Sequence, residues 1–394
     1  MAISVRAQED LPEKLSETES WRAEIPATGL REYWYPALLS KKIGKRKPTG
    51  LRMLGEDLVF FRDPDGRVVA FKDLCPHRGA KLSMGVCHFP GTLTCPYHGW
   101  TYNADGEVIA AFIEGPESRV PESGIHATTK IVKEFRGMVW VWMGEGEPVP
   151  LEEDVPEEFL EPGTWILTAI RPWPINWRPL IENAIDGHAP YVHRNSLVAI
   201  LFGVGPLGQK LTPQLTRDGK GICLMKGNFP PPRQDYPGLG RFPRVLVRRL
   251  WQRILGRWRK TTTFTGKPYT QEIVLPGINR ITYPNHLYMR WGVPIDEGAV
   301  RNFYWHVIRG SILWKLGFCL RYYLFRCWAM NILFSEQDRR IVGAQNYGGG
   351  ERLSWTDGVV VGWRKMVLHG FHAERVKRTH QGKIHLEPAP GSRP

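Results

Sequence analysis

The sequence predicts an α+β protein in two parts, an all-β unit followed by an antiparallel sheet with helices. Three observations carry this. The 394 residues exceed one ordinary hydrophobic core and suit two. Residues 33–144 alternate short apolar runs with turns rich in Gly, Asp and Asn. Beyond residue 163, strand-like runs precede two long helical ones, the order of a sheet with segregated helices.

In the first part, Asp57–Arg62 and Val68–Asp73 flank Asp63-Pro64-Asp65-Gly66, which predicts a hairpin with suitable turn residues. Asn103-Ala104-Asp105-Gly106 is a second turn, following the strand Trp100–Tyr102, and Met138–Trp142 closes the unit. The acidic, proline-bearing stretch Gly144–Pro162 reads as a linker. In the second part, Ile175–Ile185 is helical by pattern. Strands are expected at Ile222–Met225, Gln271–Leu275, His286–Val293 and Asn302–Ile308, and helices near Leu316–Ala344 and Gly358–His372. Domains are therefore placed at 32–150 and 163–373, with polar terminal arms at 1–31 and 374–394.

Composition removes several classes. Hydrophobic content of 42% with 23% charge is globular rather than disordered. The longest uncharged stretch, Asn195–Gln209, carries several glycines and falls short of the roughly 20 apolar residues of a membrane span. The first twenty residues lack the apolar core of a secretory signal, and six irregularly spaced cysteines make no disulfide framework. A cytoplasmic protein is expected. The net charge of +14 would suit nucleic acid, an anionic membrane or an acidic protein. It is patterned locally, however: Arg241–Lys260 holds eight basic residues and no acid, whereas Leu151–Pro162 holds six acids and no base. No nucleic-acid recognition motif accompanies it.

Two constellations carry chemistry. Cys75-Pro76-His77 is separated by 17 residues from Cys95-Pro96-Tyr97-His98-Gly99-Trp100. Two thiolates suit one iron of a sulfide-bridged pair and two imidazoles the other. The competing readings are a Cys2His2 zinc site, or buried cysteines beside surface histidines. Zinc spacings pair Cys with Cys and His with His, whereas each loop here carries one of each. Cys87, between the loops, reads as structural.

The second constellation is Asp186, His188 and His193, an acid and two histidines within eight residues. Two histidines and one distant carboxylate leave half of an octahedral iron open to oxygen and substrate. The third ligand should be an acid well downstream, and Asp338 and Glu336 in Phe334–Gln345 are both open to that role.

These residues resemble the Rieske non-haem iron oxygenases, in the homotrimeric carbazole dioxygenase type of terminal oxygenase. The resemblance rests on CPHRGAKLS and CPYHGW, on WRPLIENAIDGHAPYVHRNSL, and on REYWYPALLSKKI and LPGINRITYP. It is good over 32–200 and 270–345 and poor over 205–268. It implies an N-terminal all-β Rieske [2Fe-2S] domain held by Cys75, His77, Cys95 and His98. It implies a catalytic domain with iron held by His188, His193 and Asp338, and a homotrimer in which an acid at the place of Asp186 bridges a cluster histidine to an iron histidine. Electrons would come from NAD(P)H through a flavin reductase, a ferredoxin or both. One departure stands out. The family puts two residues between this acid and the first histidine, whereas only Gly187 separates Asp186 from His188, one residue fewer. On a regular helix residues two apart point about 200° away from each other, and Pro190 should break the helix here. If Asp186 is not the bridge, Asn183 and Glu182 are the alternatives. A Rieske electron-transfer protein without a second iron is the reading from another class.

For the substrate, the resemblance suggests an aromatic or N-heteroaromatic ring. A bulky sterol- or terpenoid-like polycycle, open to hydroxylation or oxidative demethylation, is the preferred reading. Its reason lies in Arg244–Lys260, where Val247, Leu250, Trp251, Ile254, Leu255 and Trp258 share one helical face and basic residues the rest. That is the composition of an interfacial membrane helix, against a core-facing helix or a ferredoxin-docking one. The run Ile312–Phe334, interrupted only by Lys315, Arg321 and Arg326, adds to it. Peripheral association with the inner membrane face is expected on this basis.

Overall fold

The computed structural model describes residues 21–193, 196, 214–216, 218–227, 269–283 and 286–384. The segment 244–260 lies outside the described residues. The chain divides into two units: one of 30–160, 293–297 and 376–394, the other of 1–29, 161–292 and 298–375.

The first unit holds three small antiparallel sheets. Trp34–Leu39 pairs with Met138–Trp142, which pairs with Val132–Phe135. Thr49–Met53, Glu56–Arg62, Val68–Lys72 and Thr129–Lys130 form the second sheet, and the expected hairpin is there with Arg62 opposite Val68. Leu93–Thr94, Trp100–Tyr102 and Val108–Ala111 form the third. Val59, Phe61, Phe71, Leu82, Leu93 and Tyr102 pack as one core that includes Cys75 and Cys95.

The acidic linker is more structured than expected. It contains a 3-10 turn, Leu151–Glu153, and a short helix, Glu157–Leu160. Asp154 is buried because its carboxylate accepts the Trp34 backbone N–H at 2.9 Å. An acid satisfied in this way can be buried, which composition cannot reveal.

The second unit is built on a seven-stranded antiparallel sheet. Its order is Trp165–Trp173, Val300–Ile308, Leu287–Pro294, Ile278–Thr282, Tyr269–Val274, Gly221–Gly227 and Gln214–Leu215. The helix Trp177–Ile185 opens on an Asn176 cap whose side chain accepts the Arg178 N–H. A long run follows the sheet: α-helix Ile312–Arg321, π-turns Tyr322–Arg326 and Ala329–Phe334, then α-helix Ser335–Gly343.

Both arms need correction. Residues 21–29 are packed: the backbone oxygens of Ile25, Pro26 and Ala27 accept from Arg178, Trp177 and Asn176, and Ile25 is buried. The expected tail from 374 is helix as far as Ile384, with Arg375 and Thr379 buried. Polar composition concealed both, because each element contributes few side chains to a core and the first bonds mainly through its backbone.

Candidate functional site: two sets of metal-binding side chains

The two cysteine loops share one backbone design. The Cys75 N–H bonds to Ala80 O and the Gly79 N–H to Cys75 O, at 2.8 and 2.9 Å. The Cys95 N–H bonds to Trp100 O and the Gly99 N–H to Cys95 O, at 2.8 and 3.2 Å. Gly79 and Gly99 both have φ near +70°, the left-handed region that favours glycine. A Cβ on Gly99 would also meet Phe112 at 2.7 Å. Each loop thus turns back within five residues and points a cysteine inward.

The result is an asymmetric set. Both thiols are buried, and burial, with the neighbouring Cys75 thiol adding to it, pushes Cys95 up from its ordinary value. The imidazoles of His77 and His98 lie at the surface with ring centroids 4.5 Å apart. Trp100 stacks on His77 at 4.4 Å, and Tyr97 packs on His98 at 3.8 Å. Two adjacent thiols and two adjacent imidazoles match the chemistry of an unequal iron pair. Cys87, in contrast, is a buried thiol raised to about 11 by desolvation.

Sequence reasoning missed Tyr102. Its hydroxyl lies 3.0 Å from Cys75 Sγ in the core, and nothing in the motif spacing announces a phenol there.

The second set is assembled from distant segments. The helix Trp177–Ile185 ends at Asp186, Gly187 takes φ +73°, and His188 precedes a short helix, Ala189–Val192. The break expected from Pro190 is present, and the left-handed glycine accommodates the short spacing. His188 Nε2 and His193 Nε2 both approach Asp338 Oδ1, at 3.1 and 3.0 Å. Ligand atoms of these three side chains all lie within 4.8 Å of one another. Glu336 does not join them: it pairs with Arg339 and Arg340, and the Arg339 bonds lower it to about 2.

Each outer nitrogen is engaged. His188 Nδ1 donates to Asp186 Oδ1 at 2.5 Å, and His193 Nδ1 donates to Gln337 Oε1 at 2.9 Å. These bonds orient both rings so that Nε2 turns toward Asp338. Phe334 stacks on His193 at 3.6 Å, and Arg290 reaches the other oxygen of Asp338 at 3.3 Å. Gln337 and Arg290 were also missed, since their roles depend on partners 144 and 48 residues away.

Electrostatics favour a cation at this place. Burial opposes charge on Asp338, yet bonds from His188 and His193 and the nearby Arg290 hold it well below the carboxylate range. Burial likewise opposes the His188 cation, but Asp186 and Asp338 outweigh it and raise the ring to about 9. Two carboxylates facing one imidazole draw in positive charge, and a divalent ion would meet that demand. Of the candidate bridging residues, Glu182 is committed to Arg364 at 2.8 Å and Tyr347 at 3.1 Å, and Asn183 is buried. The Asp186 side chain keeps 28% of its surface exposed.

Comparisons with known proteins bear on the family and the fold. Residues 33–121 match the Rieske [2Fe-2S] domain family, and residues 142–222 match the family described as homotrimeric ring hydroxylase. The terminal oxygenase component of carbazole 1,9a-dioxygenase from Metapseudomonas resinovorans is 34% identical over 304 residues, 72% of this chain and 74% of that protein. The oxygenase subunit of phthalate 4,5-dioxygenase from Pseudomonas putida is 34% identical over 44% of this chain and 40% of its own. Among solved structures, a carbazole-bound oxygenase–ferredoxin complex superposes with a TM-score of 0.70 at 23% identity, covering 95% of this chain and 98% of that one. The terminal oxygenase from Nocardioides aromaticivorans gives 0.69 at 24%, covering 92% and 98%.

The fold and paired donor sets are those of an iron-dependent oxidoreductase. The chain belongs to the Rieske non-haem iron oxygenases, as an oxygenase component whose cofactors are a [2Fe-2S] cluster and a mononuclear iron.

The Tyr102 contact yields a prediction. A hydrogen bond to a ligand sulfur stabilises the reduced, more negative cluster. At about 1 kcal/mol for the bond, Tyr102→Phe should lower the potential by roughly 40 mV. Redox titration of the cluster checks this, and an unchanged potential would show that Tyr102 does not bond the ligated sulfur.

Proposed function

We propose that Cys75 and Cys95 hold one iron of the cluster and His77 and His98 the other, while His188, His193 and Asp338 hold the mononuclear iron. The observation that carries this is the approach of both Nε2 atoms to one oxygen of Asp338. When bound, the cluster supplies single electrons drawn from NAD(P)H through a ferredoxin or flavin reductase, and the mononuclear iron supplies dioxygen activation. The protein's own part is positional. Asp186 and Gln337 fix the two rings, and Arg290 holds the second oxygen of Asp338 aside, limiting how many positions that carboxylate can fill. Buried Tyr304 lies close to Arg290, Ser335 and Asp338.

The exposed part of Asp186 is suited to meet a cluster histidine of a second copy, which would link the two donor sets across an interface. His77 and His98 lie at the surface, as such a contact requires. A head-to-tail ring of three copies satisfies that heterologous contact. The homotrimeric description of the matched family and the ferredoxin complexes among the structural relatives support this assembly and redox partner.

The substrate is read as a hydrophobic polycycle. Ring oxygenation of an aromatic or N-heteroaromatic compound is favoured, because the relative matching 72% of the chain is named for carbazole. The sterol- or terpenoid-like reading, with hydroxylation or oxidative demethylation, stands second. It draws on the exposed apolar side of the helical run that bears Asp338. Oxygen uptake with product mass, over fused aromatics and sterols in parallel, tests both. Turnover of carbazole-like rings alone supports the first reading, oxygen insertion into sterols alone supports the second, and turnover of neither class overturns both.

Fully loaded protein should contain about three irons and two acid-labile sulfides per chain, and His188→Ala should leave about two irons with the cluster absorption intact. Elemental analysis and the visible spectrum check this. Two irons in a loaded wild-type sample would instead make the protein an electron carrier.

Asp186→Ala should retain both centres and slow turnover about 10–100-fold, because the side chain orients His188. Steady-state oxygen uptake with iron quantitation measures it. Wild-type turnover with full iron would assign the bridge to another residue.

A further inference from the structure

The run Ile312–Gly343 has two different sides. Phe318, Tyr322, Ala329, Asn331, Ser335, Asp338 and Val342 are buried. The other side is exposed and apolar: Leu316, Leu320, Leu324, Trp328 and Ile332 recur every four residues at 52, 62, 75, 47 and 37% exposure. Leu313 and Tyr323 flank them at 78 and 71%. On a pure α-helix a four-residue step overshoots one turn by about 40°, so such a series drifts around the axis. The two π-turns take an extra residue each, which offsets the drift. The stripe therefore stays on one side for roughly 30 Å from Leu313 to Leu333. A continuous exposed apolar stripe of this length marks an interaction surface.

Charge points to its occupant. From Gly310 to Ser335 the chain carries Lys315, Arg321 and Arg326 and no acid. Lys315 and Arg321 place their charged ends over Trp165 and Trp314, whereas Arg326 lies over the fully buried Phe318 and is not part of this face. Long cationic side chains with tryptophan beside an apolar stripe suit the boundary between lipid headgroups and acyl chains. No helix among the described residues is long and apolar enough to cross a membrane, so the helix would lie along the surface.

We propose that the face of Leu313, Leu316, Leu320, Tyr323, Leu324 and Trp328 docks on an anionic lipid bilayer. The docking extends beyond the function proposed above and does not depend on the substrate.

The test is co-sedimentation of the full-length, metal-loaded protein with phosphatidylcholine vesicles, with and without phosphatidylserine. Wild type should bind the mixed vesicles, and Leu320→Glu with Leu324→Glu should lower the bound fraction at least about tenfold. Sedimentation velocity without lipid should give the same assembly for both proteins, with unchanged cluster absorption. If the double variant does not fold, Leu313→Gln alone should still weaken binding measurably. Failure of the wild type to bind either vesicle overturns the proposal. So does a double variant that binds as wild type, or one that breaks the assembly, which would assign the stripe to a second copy.

Discussion

The second unit depends on one carboxylate oxygen. Asp338 Oδ1 is approached by Nε2 of two histidines that lie about 150 residues away in the chain. Holding two imidazoles and a carboxylate together is unfavourable in an apolar interior unless every other polar atom is satisfied. The surroundings meet that demand: Asp186 and Gln337 take the outer ring nitrogens, and Arg290 takes the other oxygen. The helix bearing Asn183, Asp186 and the turn to His188 is itself anchored by Glu182, which meets the fully buried Arg364, and Arg364 also bonds Glu351. Rigidity is thus inherited from buried ion pairs whose removal would leave an uncompensated charge.

The first unit solves a different problem. Its thiols are in the core and its imidazoles at the surface, so one end of the set is insulated and the other is open. Two loops of the same backbone design achieve this because each uses a left-handed glycine four residues after its cysteine. Histidine sits two residues after Cys75 but three after Cys95. The two rings lie 4.5 Å apart, tilted at 60° to each other.

Much of this was legible because ligand chemistry restricts residue type and spacing. The four side chains proposed to hold the cluster, Cys75, His77, Cys95 and His98, stand out by type and spacing, and the alternating runs of the sheet strands are visible as such. The short Asp186–His188 spacing was legible as an anomaly, and the fold resolves it at Gly187, whose φ of +73° no periodicity argument addresses. What stayed hidden has long-range causes. Arg290 sits in a strand whose pattern explains it as an ordinary sheet residue, and Gln337 is one polar residue among several on its helix. The arms and the acidic linker misled because burial there is made by backbone bonds and a capped carboxylate, not by apolar side chains.

The run containing Asp338 shows how a local irregularity can serve both of its sides. An uninterrupted α-helix could bury Phe318 and Tyr322, but the drift of its apolar series would carry leucines toward the sheet or polar residues toward the stripe. Two π-turns re-phase it, so that Ser335 and Asp338 face inward after Asn331 while Trp328 and Ile332 remain outward. Widening the turns costs backbone hydrogen-bond quality, which is why π-turns are uncommon and concentrate where function maintains them. Here they stand directly before the carboxylate on which the site depends. The same re-phasing that aims Asp338 at the histidines keeps the leucines aligned on the opposite side, and a substitution that restored regular α-helix would disturb both together.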